Sequence, residues 1–205
     1  MICYLINKGC EIMLRVSLFS FGVVALFSGC GEVATAPVQE MSEEDKTVVL
    51  KSENQEMLTL LNKARSISRD CGDGKGVVGP SMPLKWSEIL YASAYEHSND
   101  LAMSDTFSHY GSGTEYDITA MNKGGGRSSF YERILSQGYG EFYALGENIA
   151  AGQRSIEEVM EAWLKSPSHC ANIMSDNFTE VGMAVVVNEE SAYGIYWTQN
   201  FGGKS

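Results

Sequence analysis

The sequence is poor in positive charge. Its 205 residues include 15 lysines and arginines against 26 aspartates and glutamates, which gives a formal net charge of −11 at pH 7. Proteins that bind nucleic acid carry lysine and arginine clustered on one surface. The charge balance therefore argues against a nucleic-acid partner.

The sequence also lacks the short motifs that identify common enzyme classes. It contains no His-Glu-x-x-His pair, no Gly-x-Ser-x-Gly turn and no phosphate-binding glycine loop. The glycine run within residues 123–127 follows no predicted strand and fits a turn. The function therefore has to be inferred from residues scattered along the chain.

The hydrophobic run near the N terminus is too short to span a bilayer. Residues 16–27 form an apolar stretch of about a dozen residues after Arg15, a pattern typical of an export signal. Residues 26–30 end in Cys30 and resemble a lipobox, in which the cysteine becomes the lipidated first residue. The sequence thus predicts a lipoprotein signal over residues 1–29, with Met13 as a candidate true start. An ordinary cleaved signal followed by a chance cysteine is the alternative.

The predicted product is an exported protein, held at a bacterial membrane by the lipid on Cys30 and facing the periplasm or the cell surface. Residues 31–52 are small, polar and acidic, which predicts a flexible tether over residues 30–52. With Cys30 acylated, Cys71 and Cys170 remain as a pair in an oxidising compartment, and we expect a disulfide between them. Two free buried thiols are the alternative.

Hydrophobic periodicity predicts two long helices, over about residues 53–67 and 87–103. Ser129 and Ser155 each precede a glutamate by three residues, and this capping-box spacing predicts the start of a short helix. Pro167 is expected to end the second short helix.

The C-terminal part of the sequence predicts strands. Residues 181–188 and 193–201 are rich in β-branched and aromatic residues, and residues 140–150 are a candidate third strand. Residues 70–83 and 106–127 contain the glycine, proline and serine typical of loops. Helices first and strands last indicate an α+β fold, with helices packed on a small antiparallel sheet.

Few residues in the predicted helices, strands and loops have side chains suited to metal binding or acid–base catalysis. His97 lies on the apolar stripe of the second helix and is expected to be a hydrogen-bonded core residue. His109 and His169 each follow a predicted helix end, where an imidazole is free to face a cleft, and Glu147 is a lone carboxylate in an apolar run. Two histidines and a glutamate suffice to bind zinc with an open position. They could equally form a general base with an orienting carboxylate, and spacing alone does not choose.

Seven segments, taken in order, resemble the bacterial branch of the CAP superfamily, also called SCP-like. That superfamily includes cysteine-rich secretory proteins, insect antigen 5 and plant pathogenesis-related proteins. The resemblance covers roughly residues 53–203, which we expect to form one CAP domain. The segments are 61–65 (LNKAR), 83–86 (PLKW), 96–100 (EHSND), 107–109 (FSH), 146–150 (GENIA), 166–169 (SPSH, shortly after Trp163) and 196–201 (YWTQNF).

The resemblance implies an α-β-α sandwich with a cleft lined by two histidines and two acidic residues. By motif position, His109, Glu147 and His169 occupy three of these four places. The fourth place falls at or near Ser166, so the acidic set is incomplete here. Family members have been associated with zinc in the cleft, with sterol or lipid binding and with proteolysis.

Three functions follow from this reading. The first is a binding module whose cleft holds a small ligand, a lipid or a cell-envelope component, with or without zinc on His109 and His169. The second is a zinc-assisted hydrolase or peptidase, in which Glu147 is the candidate catalytic group that positions or activates water. The third is a protein-interaction module with a vestigial cleft. The incomplete acidic set and the lack of a recognisable activated nucleophile favour the first.

Overall fold

The computed structural model describes residues 43–204, with side chains from residue 52 onward. The predicted signal over residues 1–29, the lipidation site Cys30 and most of the predicted tether lie outside the described residues. None of the described helices is long and apolar enough to cross a membrane.

Six helices and six strands make up the described part of the chain. The helices are α1 (Glu43–Arg65), α2 (Glu88–Ser104), α3 (Ile118–Asn122), α4 (Phe130–Ser136), α5 (Ile156–Lys165) and α6 (Pro167–Met174). The strands are β1 (Arg69–Asp70), β2 (Val77–Val78), β3 (Lys85–Trp86), β4 (Ala144–Ala151), β5 (Glu180–Val187) and β6 (Ile195–Gly203).

Four strands form the main sheet, in the order β3-β5-β6-β4. The β4–β6 and β5–β6 pairs are antiparallel, as expected, and the candidate third strand is confirmed as β4. The two-residue strand β3 pairs with β5 in parallel, so the sheet is not wholly antiparallel. Strand β4 is an outer strand of this sheet, and the residue in it that matters most for the site is Glu147.

Helices cover both faces of the sheet, which confirms the α+β sandwich. Alternate residues of β5, Val181 and Met183, pack in a core shared with α1, α5 and α6. Helix α2 packs against β5 and β6. It approaches β5 so closely that a Cβ on Gly182 would overlap the backbone nitrogen of Tyr91. This close contact fixes α2, and with it His97, against the sheet.

Side chains cap the predicted helix starts. Ser129 and Glu132 form a complete capping box at the start of α4, and the Ser155 hydroxyl accepts the backbone N–H of Glu158 at the start of α5. Ser87 caps α2 in the same way. The second helix and both short helices therefore begin where the sequence predicts.

Three helical segments differ from expectation. Helix α1 begins at Glu43, well before the predicted start at residue 53, so residues 43–52 are helical where the sequence predicted part of a flexible tether. The short helix α3 lies inside the predicted loop 106–127, where Asp117 caps it. Pro167 ends α5 but also begins α6, because a proline at the first helical position needs no N–H partner.

The predicted disulfide is present between Cys71, just after β1, and Cys170 in α6. Their Cα atoms are 5.5 Å apart and the sequence separation is 99 residues. Closing a loop of this length stabilises the folded state by about 4–5 kcal/mol on the chain-entropy model. The bridge also anchors the helix that carries His169.

Candidate functional site

Glu147 is the centre of the candidate site. It lies in β4, and its side chain is only 1% exposed. A carboxylate this deeply buried is costly unless charges and hydrogen bonds compensate for it. The residues that provide this compensation therefore define the site.

Arg133 of α4 is the main partner of Glu147. Its Nη2 lies 2.8 Å from Glu147 Oε2, and the arginine side chain is also only 1% exposed. The guanidinium further donates to the carbonyl oxygens of His109 at 3.0 Å and of Ser128 at 3.2 Å. Arg133 thus joins α4 and the His109 loop to β4 through one buried charge.

His109 contacts the other oxygen of the carboxylate. Its Nδ1 lies 2.9 Å from Glu147 Oε1, and its side chain is 50% exposed. An ionised carboxylate can only accept a hydrogen bond, so Nδ1 carries the proton and donates. The opposite ring nitrogen, Nε2, is then left as the ligand-facing atom of the imidazole.

His97 of α2 lies behind Glu147, within the protein. Its Nε2 is 2.9 Å from the carbonyl oxygen of Ser108 and donates to it. Burial lowers the pKa of His97 to about 4, so the ring is neutral at pH 7. The prediction of a hydrogen-bonded core histidine is confirmed. The same Nε2 atom lies 3.9 Å from Glu147 Oε1. Because the ring is neutral at pH 7, this is a packing contact and not an ion pair.

The ionised form of Glu147 is stabilised by its surroundings. Burial opposes ionisation, but the guanidinium of Arg133 and the hydrogen bonds from His109 and Arg133 outweigh it. Together they hold the pKa of Glu147 below its usual value. Because both of its oxygens are engaged, this carboxylate orients His109.

His169 lies on α6, not after a helix end as the sequence suggested, because Pro167 starts this helix. Partial burial, together with the proximity of His109, lowers the pKa of His169. The Asn148 amide donates to the His169 carbonyl oxygen at 3.3 Å, and the Asn172 amide donates to the Asn148 side chain at 2.9 Å. These amides link α6, which carries His169, to β4, which carries Glu147 and through it holds His109. One hydrogen-bonded network therefore holds both histidines.

Ser166 stands at the junction of two helices. It is the C-cap residue of α5 and the N-cap residue of α6, and its side chain makes no capping hydrogen bond to α6. A place for Ser166 in the ligand cleft, like a metal on His109 and His169, stays a prediction.

The zinc hypothesis fits the site only in part. Within residues 52–204, no three or more histidine, cysteine, aspartate or glutamate side chains are grouped so that they could hold a metal ion. Glu147 is unsuited to direct ligation because Arg133 and His109 occupy its oxygens. The two imidazoles of His109 and His169 remain as candidate ligands, with Glu147 orienting the first of them.

Sequence reasoning did not find Arg133, Asn148 or Asn172. Asn148 and Asn172 lie next to or within segments singled out for other residues, and Arg133 directly follows the Ser129–Glu132 capping box. No sequence pattern distinguishes a buried arginine from an exposed one on a short helix. An expectation that the buried Glu147 needs a cation would have been the only signal for it.

Helices on both faces of this sheet, with a buried glutamate oriented against a histidine, agree with the SCP-type domain that the sequence resemblance implies. The model of the cysteine-rich secretory protein family, called CAP, matches residues 58–201. The chain belongs to this family.

Relatives and solved structures are consistent with this assignment. The chain is 36% identical over 125 residues to the uncharacterized protein YkwD of Bacillus subtilis, covering 60% of this chain and 40% of that protein. It is 29% identical over 118 residues to the uncharacterized membrane protein YlbC of the same organism, covering 58% and 28%. A crystal structure of an extracellular protein containing an SCP domain from Bacillus anthracis superposes with a TM-score of 0.56 at 23% identity, covering 81% of this chain and 45% of that one. The chain thus spans less than half the length of each of these proteins.

Proposed function

We propose that this CAP domain is an extracytoplasmic binding module whose cleft, formed by His109, Glu147 and His169, holds a small ligand, a lipid or a cell-envelope component. The observation that carries the proposal is the double engagement of Glu147 by Arg133 and His109. A carboxylate held in this way fixes the position and tautomer of an imidazole instead of taking up a proton from substrate.

The charge balance of the site supports a ligand that is neutral where it enters the cleft. Glu147 and Arg133 neutralise one another, and both are buried. The groups left to contact a ligand are the Nε2 atom of His109 and the half-buried imidazole of His169. Such a site favours a hydroxyl or amide donor on the ligand, as carried by glycans, peptides and many lipid headgroups.

The structure also supports binding over covalent catalysis. Within residues 52–204, no serine, threonine or cysteine side chain hydrogen-bonds to the ring of His109 or His169, and Cys170 is bound in the disulfide. A nucleophile next to a base is the usual sign of covalent chemistry. The cleft offers polar recognition without that pair.

Zinc on His109 and His169 is the second candidate. A carboxylate that accepts from the far nitrogen of a histidine is a common arrangement behind zinc ligands, and Glu147 stands in this relation to His109. Bound zinc would supply a Lewis acid to the cleft. The neutral Glu147–Arg133 pair contributes no net charge to attract a dication, which favours the metal-free module.

The proposal includes export and attachment through a lipid on Cys30. The SCP-domain protein of Bacillus anthracis is described as extracellular, and the Cys71–Cys170 disulfide suits an oxidising compartment. Signal cleavage and lipidation at Cys30 stay predictions from the sequence.

The test uses the full chain, purified in a non-ionic detergent without chelator or histidine tag. Bound zinc is measured by elemental analysis. Binding of cell-wall glycopeptide fragments and of a lipid with an uncharged, hydroxyl-bearing headgroup is followed by NMR of the imidazole signals. His109→Ala and His169→Ala probe the cleft, and Tyr110→Ala, at an exposed neighbour of His109, is the matched control.

We expect a glycopeptide or lipid to shift the signals of both imidazoles, and this binding to be lost in both histidine variants and kept in Tyr110→Ala. Stoichiometric zinc that disappears in both histidine variants would favour the metal-dependent alternative. Binding that survives both substitutions would contradict the cleft proposal and leave the protein-interaction module as the better reading.

A further inference from the structure

A second concave surface lies on α2, away from the histidine cleft. It is a cavity of about 610 Å³ whose walls come from α2, α3, the loop before α3 and the end of α4. None of its lining residues belongs to the histidine cleft. This volume is within the usual range of small-molecule sites, about 300–1,000 Å³. Its polar and aromatic walls include Tyr91, Tyr95, Tyr116, Glu96, Asn99 and Gln137.

Glu96 is the unusual member of this wall. It is only 9% exposed, and its two oxygens accept from neutral donors only. Oε1 accepts the backbone N–H of Thr119 at 2.8 Å, and Oε2 accepts the Gln137 amide at 3.1 Å. Among the side chains of residues 52–204, no lysine, arginine or histidine forms an ion pair with Glu96. Its hydrogen bonds come from neutral donors alone, so no cation of the described residues occupies the place of a positive ligand beside this carboxylate.

The aromatic walls suit a positive partner of a particular kind. Tyr91 and Tyr95 are one helical turn apart on α2, with ring centroids 6.3 Å from each other, and Tyr95 is half exposed. Aromatic faces attract cations, most of all alkylated ammonium groups whose surface is apolar. A hard metal ion would instead need several oxygen ligands, preferably charged ones, and Glu96 is the one carboxylate among the residues of this wall.

We propose that this cavity binds a small organic cation, with an alkylammonium group held between Glu96 and the tyrosine rings. The cavity is larger than a trimethylammonium group, so the ligand has room for an organic body beyond its charged end. Glu96 and His97 are consecutive in α2 but belong to different sites: Glu96 faces this cavity, and His97 packs behind Glu147. The cation site is therefore independent of the histidine cleft.

Choline and its neutral isostere 3,3-dimethylbutan-1-ol test the proposal, because they match in shape and differ in charge. Binding to the full chain is measured by ligand-observed NMR, with phosphocholine as a third probe that tells a lipid headgroup from a free cation. The variants are Glu96→Gln, which removes the charge and keeps a hydrogen-bonding amide, and Tyr95→Leu, which keeps apolar volume and removes the ring. Tyr110→Leu, at an exposed tyrosine outside the cavity, is the matched control.

We expect choline to bind about tenfold more tightly than the isostere, and Glu96→Gln to remove this difference. Tyr95→Leu should weaken choline binding about three- to tenfold, and Tyr110→Leu should leave it unchanged. Thermal melting checks that each variant is folded. If Glu96→Gln does not fold, the half-exposed Tyr95→Leu and the isostere comparison decide.

Equal affinity for choline and the isostere would overturn the proposal, as would wild-type affinity in a folded Glu96→Gln. Loss of choline binding in His109→Ala would overturn it as well, because that result places the cation in the histidine cleft. If His109→Ala still binds choline, the cation proposal stands whether or not the histidine cleft binds a ligand.

Discussion

Replacement of Arg133 by methionine tests the claim that one buried ion pair organises the cleft. Methionine keeps much of the apolar volume of arginine and removes its charge and its donors. The wild-type guanidinium donates to the Glu147 carboxylate at 2.8 Å and to two backbone carbonyl groups, all within the protein. Removing one partner of a buried pair leaves an uncompensated charge and costs about 3–5 kcal/mol. We expect a loss of unfolding free energy of that size at pH 7.

The pair predicts a specific rescue. Arg133→Met combined with Glu147→Gln removes both charges, so the double variant should be more stable than the two single effects predict by at least about 2 kcal/mol. The matched control is Arg154→Met, at an exposed arginine, with an expected change within about 0.5 kcal/mol. Urea unfolding of all four variants at pH 7 measures these differences.

The pH dependence of Arg133→Met gives an independent check. In the wild type, the pKa of Glu147 is lowered, so its contribution to stability is present above its unfolded pKa and is lost as the pH falls. Without the guanidinium, the pKa of Glu147 rises. The difference in unfolding free energy between Arg133→Met and wild type should therefore become smaller as the pH falls from 7 to 5. Additive single effects, or a difference that does not change with pH, would refute the ion-pair argument.

Two further predictions concern the residues that hold α2. His97 has a pKa of about 4 in the folded state and about 6.5 in the unfolded state, so the unfolded state binds more protons between these values. The free energy of unfolding should therefore increase by about 3 kcal/mol as the pH rises from about 4 to about 6.5. His97→Gln should flatten this part of the stability–pH curve in urea titrations, and an unchanged slope would contradict the burial argument. Gly182→Ala should cost about 3 kcal/mol or prevent folding, because its Cβ would overlap the backbone of α2. The control Gly140→Ala adds its Cβ in open space and should change the melting temperature little, and equal effects of the two would contradict the close approach.

The sequence predicted the elements whose signals are local. Ser129 and Ser155 marked the starts of α4 and α5 because a capping side chain acts within one helical turn. The strands β5 and β6 were recognisable by composition for the same reason. Helix α6 was missed because Pro167 has the same sequence signature whether it ends one helix or begins the next.

The candidate site was only partly predictable, for a physical reason. His109, Glu147 and His169 could be proposed from the sequence because titratable residues are rare in these segments and because the family pattern includes them. Arg133 was not found, since its role depends on burial against Glu147 across separate elements, and burial is a property of the folded chain. The same limit applies to Glu96. In the sequence it is an ordinary charged residue of a predicted helix, and only the fold places it in the wall of the tyrosine-lined cavity.

The two buried glutamates explain why we assign the two sites different ligands. Glu147 is paired with Arg133, so its charge is satisfied within the protein and the adjoining histidines present a polar but locally neutral surface. Glu96 receives only neutral hydrogen bonds, so no cation of the described residues competes with a ligand for this carboxylate. A carboxylate in the first setting orients its neighbours, and one in the second attracts a cation. We therefore infer the ligand of each surface from the partner of its carboxylate, and not from the presence of an acidic residue in a motif.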